Sequence, residues 1–233
     1  MANVTLPNEA TEGGGSITAH PGRILKAIRA EHGWTLAQVS ERTGLPSTTL
    51  SKIENDKLSL SYDKLVRISR GLGIDISRLF GAAETQKQAP GFAPTGRRSI
   101  TRNGEGSAIE TRAYSHLYPA SDLLNKQIMP IIAELKARNR DEFGPLIRHA
   151  GEEYVMVLDG LVEFHSELYA PVLLNKGDSM YFDSSMAHGY IAASEGLCRI
   201  LSICSAGDLL SVSPPEDVGE QAKPAKPAIV PSA

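Results

Sequence analysis

The chain has 233 residues, 41% of them apolar, and a formal net charge of −3. That length admits one large domain or two small ones, each with its own core. No apolar run approaches the ~20 residues of a membrane helix, which excludes a helical span, and no membrane partner is expected.

The opening "MANVTLPNEATEGGGSIT" lacks the basic and apolar regions of a signal peptide, so a cytoplasmic location is expected. Cys198 and Cys204 sit in "CRILSIC". On one extended strand, six residues span about 20 Å, too far to bridge. Both thiols are therefore expected reduced, which suits the cytoplasm. The small net charge hides an asymmetry. From Gly22 to Phe80 ten Lys/Arg face six Asp/Glu, a balance of +4; from Arg98 to Val212 ten face fifteen, a balance of −5. A basic N-terminal part points to nucleic acid at one end only.

Composition divides the chain further. Residues 1–19 are polar and glycine-rich and read as a disordered arm. Residues 81–97, "GAAETQKQAPGFAPTGR", read as a linker, and 213–233, proline- and alanine-rich, as a disordered tail. Two domains remain, 20–80 and 98–212.

The first reads as five short helices. "GRILKAIRAEHG" carries Ile24, Leu25 and Ile28 at helical spacing and stops at Gly33. "TLAQVSERTG" opens with Thr35 and places Gln38 three residues on, a capping box, with Gly44 suited to the left-handed position that ends a helix. "PSTTLSKIEND" turns Leu50 and Ile53 inward. "SYDKLVRISRGLG" is capped by Ser61, ended by Gly71 or Gly73, and striped by Leu65, Ile68 and Leu72; "DISRLF" is the fifth. The second and third, joined by the turn at Gly44, form a helix-turn-helix candidate. In that arrangement the later helix enters the major groove, and its outward side chains here are Ser47, Thr48, Ser51 and Lys52. Lys52 can donate to guanine or to a phosphate.

From residue 98 the period changes. "NKQIMPIIAEL", "EEYVMVLDGLVEFH", "APVLLNKGDSMYFD", "HGYIAAS" and "LCRILSICS" are short β-branched and apolar runs between Gly, Pro, Asp and Ser clusters, the spacing of an all-β sandwich or barrel.

These residues carry two resemblances. "TLAQVSERTGLPSTTLSKIENDKLSLSYDKLVRISRGLGIDISRLF" resembles the five-helix DNA-binding domain of the phage-repressor-like, or xenobiotic-response-element, regulators over about 24–80. The resemblance implies base contacts from Ser47, Thr48 and Lys52, a backbone contact from Gln38, and a structural ion pair between Arg29 and Glu54. "RHAGEEYVMVLDG" and "GDSMYFDSSMAHGY" are similar to the two motifs of the cupin barrel, a double-stranded β-helix or jelly roll. His149, Glu153 and Gly160 keep the first motif, with Ile147 where another histidine belongs. Gly177 and His188 keep the second, with Asp183 at its proline position and Ala192 at its asparagine.

The surviving His149, Glu153 and His188 form the donor set that holds a non-haem metal; Fe, Zn, Mn or Ni would suit it. A plainer alternative stands beside this. His149 would bond a rim carboxylate or carbonyl, Glu153 would pair with Arg148 or Arg199, and His188 would sit in a turn beside Tyr190. Chains that fuse these two domains are mostly transcriptional regulators, among them a putrescine-utilisation branch. The expected architecture is thus a multidomain α + β chain, not an enzyme. It would be a homodimer or higher homo-oligomer joined through the cupin domain, reading a double-stranded DNA operator. Its small-molecule effector would bind among Tyr114, His149, Glu153, His188 and Tyr190; the Glu152–Glu153 pair would suit a cationic amine, and an amino acid or organic acid bridging a metal is an equal alternative. The alternative is a mononuclear iron oxygenase of the hydroxypropylphosphonate-epoxidase type, which has the same two-domain build. Gly33 stands where that enzyme has its lysine, which argues against phosphonate binding.

Overall fold

The computed structural model describes residues 17–82 and 96–205. The expected tail, and most of the expected arm and linker, lie outside these residues. Four α-helices, α1 (Pro21–Glu31), α2 (Leu36–Thr43), α3 (Ser47–Glu54) and α4 (Tyr62–Leu72), precede a turn of 3-10 helix at Ile76–Phe80. The fifth expected helix is therefore 3-10, capped by the Asp75 side chain, which accepts from Ser77 N at 2.7 Å. The Thr35–Gln38 capping box is present, and Gly44 ends α2 in the left-handed region at φ 65°. Of the two glycines near the end of α4, Gly73 is the stop, at φ 64°. Gly71 serves packing instead: a Cβ there would lie 2.4 Å from the Arg42 carbonyl oxygen, so α4 reaches α2 only without a side chain. Ser61 holds the N-cap position of α4, but its hydroxyl turns to Asp63 and Lys64 rather than to the helix backbone. Leu25, Val39, Leu50, Ile53, Leu65, Ile68 and Leu79 form the helical core. Arg29 grips Glu54 with two bonds, Nε–Oε1 2.7 Å and Nη2–Oε2 2.9 Å, which ties α1 to the end of α3.

The remainder is two facing sheets. One has strand order β1-β2-β3-β4-β10-β5-β8, from β1 (Ile17–Thr18), β2 (Ser107–Glu110), β3 (Tyr114–Tyr118), β4 (Ile128–Leu135), β10 (Arg199–Ser205), β5 (Glu152–Asp159) and β8 (Ser179–Asp183). The other has order β7-β6-β9, from β7 (Val172–Asn175), β6 (Leu161–Ser166) and β9 (His188–Ala192). A single turn of helix, α5 (Arg140–Phe143), precedes β5. Ile131, Ala133 and Leu135 of β4, Val155 and Val157 of β5, and Ile200 of β10 alternate inward at period two. Pro130 lies beyond the part of β4 that pairs with β3, where its missing N–H disrupts least.

One expectation is corrected. Residues 17 and 18 do not belong to a disordered arm: they pair in parallel with Ser107 and Ala108, and Ala19 N donates to Ala108 O at 3.0 Å. The helical domain is docked on the barrel. Ile109, Tyr118, Met129, Ile131 and Cys204 share one buried apolar cluster with the helical core. Phe80 meets Tyr118 at 4.8 Å between ring centres, and Asp75 and Ser77 bond Asn125, Leu123 and Lys126.

Candidate nucleic-acid face and cupin cavity

On α3, Leu50 and Ile53 are buried while Thr48 and Lys52 are exposed and Ser47 and Ser51 half-buried. The outward face thus carries hydroxyls and one cation. The acid that ends the helix, Glu54, is turned inward and neutralised by Arg29. Gln38 is exposed at the start of α2, its Oε1 accepting from Thr35 N at 2.8 Å as part of the capping box. Small side chains on α3 let the helix backbone approach a duplex closely, the arrangement a groove-reading helix requires.

The barrel cavity is built from strand alternation. Glu153 (β5) stands opposite Cys204 (β10) in register, so both point into the barrel, with Ser202 two residues away on the same face. Neighbouring residues on a strand face opposite ways, and this corrects the expected Glu152–Glu153 pair: Glu152 is exposed, Glu153 buried. Ile147 and His188 exchange backbone bonds of 3.0 and 2.8 Å, and His149 N donates to Ser184 O at 3.0 Å; these bonds bring both imidazoles over Glu153. His149 Nε2 lies 3.1 Å and His188 Nε2 3.4 Å from Glu153 Oε2. Glu153 Oε1 accepts from the Tyr190 hydroxyl at 2.6 Å and from Ser202 Oγ at 2.7 Å. Burial alone would raise this carboxyl, but the contacts of His149 and His188 outweigh it and hold it far below the usual carboxylate range. Tyr114 Oη accepts from Tyr190 N at 2.9 Å. Burial raises both phenols, so they remain donors.

All five expected pocket residues therefore line one cavity, of about 30 Å³, which has room for a water or an ion. Of the plainer alternative, the bond from His149 to a carboxylate is present, to the buried Glu153 at 3.1 Å, but the rest does not form. Arg148 bonds Glu167 at 2.8 Å, Arg199 bonds Asp159 at 2.8 and 2.5 Å, and His188 opens strand β9 instead of sitting in a turn. A second, open cleft of about 600 Å³ lies between β7 and β8, lined by Phe164, Tyr169, Tyr181, Phe182, Asp183 and Met186. The Phe164 and Phe182 rings separate the two cavities, with centres 6.4 and 4.9 Å from that of His188.

Comparison with known proteins follows the same division. Residues 25–79 match the helix-turn-helix family and residues 139–204 the cupin domain family. The chain is a helix-turn-helix regulator with a fused cupin domain. The HTH-type transcriptional regulator PuuR of Escherichia coli (strain K12) and that of Shigella flexneri are each 24% identical to this regulator over 78% of its chain and 92% of theirs. The crystal structure of an HTH_3 family transcriptional regulator from Vibrio cholerae shares its fold, with a TM-score of 0.52 at 20% identity, covering 80% of this chain and 95% of that one. Hydroxypropylphosphonic acid epoxidase from S. wedmorenis reaches a TM-score of 0.38 at 20% identity over 81% and 99% of the two chains.

The regulator's cavity fits a cation. His188 Nδ1 faces the Met186 carbonyl at 2.8 Å and must carry a proton to bond it. The Nε2 of a neutral ring is then a lone pair 3.4 Å from a carboxylate oxygen. Two acceptors so placed repel unless a proton or a metal lies between them. The Met186 bond is also the outer-shell contact that orients a metal-binding imidazole. His149 Nδ1 is buried without a partner among the described residues, as is Nδ1 of His116, which lines the same cavity.

Four lining residues with polar or sulfur-bearing side chains escaped the sequence reading: Tyr62, His116, Ser202 and Cys204. Period-two counting along "CRILSIC" places Ser202 and Cys204 on one face and would have offered them. Nothing local marks Tyr62. It comes from the first turn of α4 in the helical domain, stands edge-on to His149 at 4.9 Å, and lines the cavity together with Cys204.

Proposed function

We propose that this regulator works as a homodimer, or a higher oligomer built of such pairs, in the cytoplasm. It reads a two-fold symmetric operator in double-stranded DNA through α3 and changes its grip when the cupin domain takes up a ligand. The observation that carries the reading is the α3 face: Ser47, Thr48, Ser51 and Lys52 outward, Leu50 and Ile53 inward, and Glu54 withdrawn into an ion pair. In this reading Ser47, Thr48 and Lys52 touch base edges, and Ser51, Gln38 and nearby amides hold the backbone.

The barrel supplies pairing and sensing. The cleft between β7 and β8 is bordered by exposed Leu168, Tyr169, Val172 and Tyr181, apolar surface of a kind that a second chain covers. Covering it would close a cleft whose volume suits an organic effector. The inner cavity is ion-sized, and His149, Glu153 and His188 would hold a divalent metal there, which would polarise a bound ligand or simply fix the barrel. Tyr62 gives either event a route to DNA, because it belongs to the helical domain and forms part of the cavity wall. A ligand acts only through unequal affinity for two placements of that domain, and displacing Tyr62 provides the inequality.

Selection of random duplexes by the purified chain tests this. The expected yield is a two-fold symmetric site with half-sites ~34 Å apart, lost in Ser47→Ala/Lys52→Ala. Failure to enrich any sequence, or equal enrichment by the variant, would reject it.

A further inference from the structure

The histidine–glutamate–histidine set is not the whole donor inventory of the inner cavity. Cys204 Sγ, Glu153 and His149 offer ligand atoms that all lie within 4.8 Å of one another, all buried, and His188 Nε2 reaches the same Glu153 oxygen at 3.4 Å. Resting on the reading that this cavity takes a metal, we propose that Cys204 is the fourth ligand, with His149, His188 and Glu153, of a closed tetrahedral site selective for zinc-class ions.

Three features support the assignment. Register pairing of Cys204 with Glu153 aims the sulfur inward, so no strand has to twist for it to ligate. Ligand atoms around tetrahedral zinc stand roughly 3.3–3.8 Å apart, so the cluster needs side-chain shifts of about an ångström. The sulfur already sits in a polar setting, 3.4 Å from Ser202 Oγ and on the same cavity wall as Tyr62, whose hydroxyl can donate to it once it is a thiolate. Binding releases the thiol proton to solvent and forms one metal–sulfur bond.

The chemistry follows from the count. Three ligands leave an open position, the mark of a catalytic metal, whereas four including a thiolate fill the tetrahedron, the mark of a structural or sensing one. A thiolate also shifts preference from magnesium, calcium and manganese towards zinc and its softer neighbours. Tyr62 then becomes an outer-shell partner of the metal-bound sulfur, so loading the barrel acts directly on the helical domain.

The test uses the full chain stripped with a chelator and titrated with cobalt(II). One equivalent should bind, with the intense visible bands of four-coordination and a near-ultraviolet thiolate-to-cobalt charge-transfer band. Cys204→Ser should lose the charge-transfer band, and Cys198→Ser, at the other buried cysteine, should keep it. X-ray absorption of the zinc-loaded wild type needs no variant and should show one sulfur at about 2.3 Å. A metal bound by nitrogen and oxygen alone would overturn the Cys204 assignment and leave metal sensing standing. No stoichiometric binding would overturn both. Neither result bears on operator selection, which is measured separately.

Discussion

Acid should destabilise the barrel through His116 before its carboxylates protonate. This residue lies on β3 between Tyr114 and Tyr118, with ring centres 5.0 and 5.9 Å away, and its Nδ1 has no partner among the described residues. Burial pushes its pKa down to about 4, against a weaker upward pull from Glu153 and Glu110. An unfolded chain would protonate the same ring near 6.5. The fold therefore holds the neutral form. Its contribution is complete above about 6.5 and is lost as pH falls towards 4, because the unfolded state takes the proton first. Integrating the linkage from pH 7 to pH 5 gives about 2 kcal/mol. Glu153 enters only lower down: its folded pKa is depressed, so its stabilisation persists until the unfolded carboxyl protonates near 4.3. Urea unfolding of wild type and His116→Phe at pH 5, 6 and 7 isolates the term. Removing the unpaired Nδ1 should raise the variant by roughly 1–3 kcal/mol at every pH. Beyond that offset, wild type should lose about 2 kcal/mol relative to the variant between pH 7 and pH 5. A gap between the two proteins that stays level across that range would refute the reasoning.

Other substitutions probe the same structure. Arg29→Met leaves Glu54 buried and unpaired, and unfolding should show a loss of roughly 3–5 kcal/mol. Gly71→Ala drives a methyl into the Arg42 carbonyl and should cost about 1–3 kcal/mol, with the thermal midpoint as readout. Glu153→Gln keeps the shape but sets an amide donor against two of the four groups around the carboxylate. The metal-free protein should lose about 3 kcal/mol or more, measured in urea, and cobalt binding should weaken at least tenfold.

The helical domain was legible because its signals are local. Thr35 and Gln38 sit within one turn, Gly44 needs its own φ, and Leu50 and Ile53 show their period over four residues. The long strands were legible for the same reason: β5 and β10 alternate strictly. β2 and β3 were not legible, because Ser107–Glu110 and Tyr114–Tyr118 mix serine, histidine and acid with few apolar residues and take their order from β4. β1 is only two residues, and all its pairing is to β2. Within the cavity, the motif spacing found His149, Glu153 and His188. Tyr62 lies 87 residues from His149 in sequence and meets it only because the two domains dock.

That docking bears on how DNA is measured. A reading head on a loose tether searches a volume, and its reach is set by the length of the tether. A head seated on a barrel, with Tyr118, Met129 and Ile131 in its own core, is confined to the placements that this contact allows. In a pair of chains the separation of the two α3 helices is then a dimension of the paired barrels, as the span of a calliper is set at its hinge. A change of operator spacing would have to be accommodated at the barrel contact, far from any base.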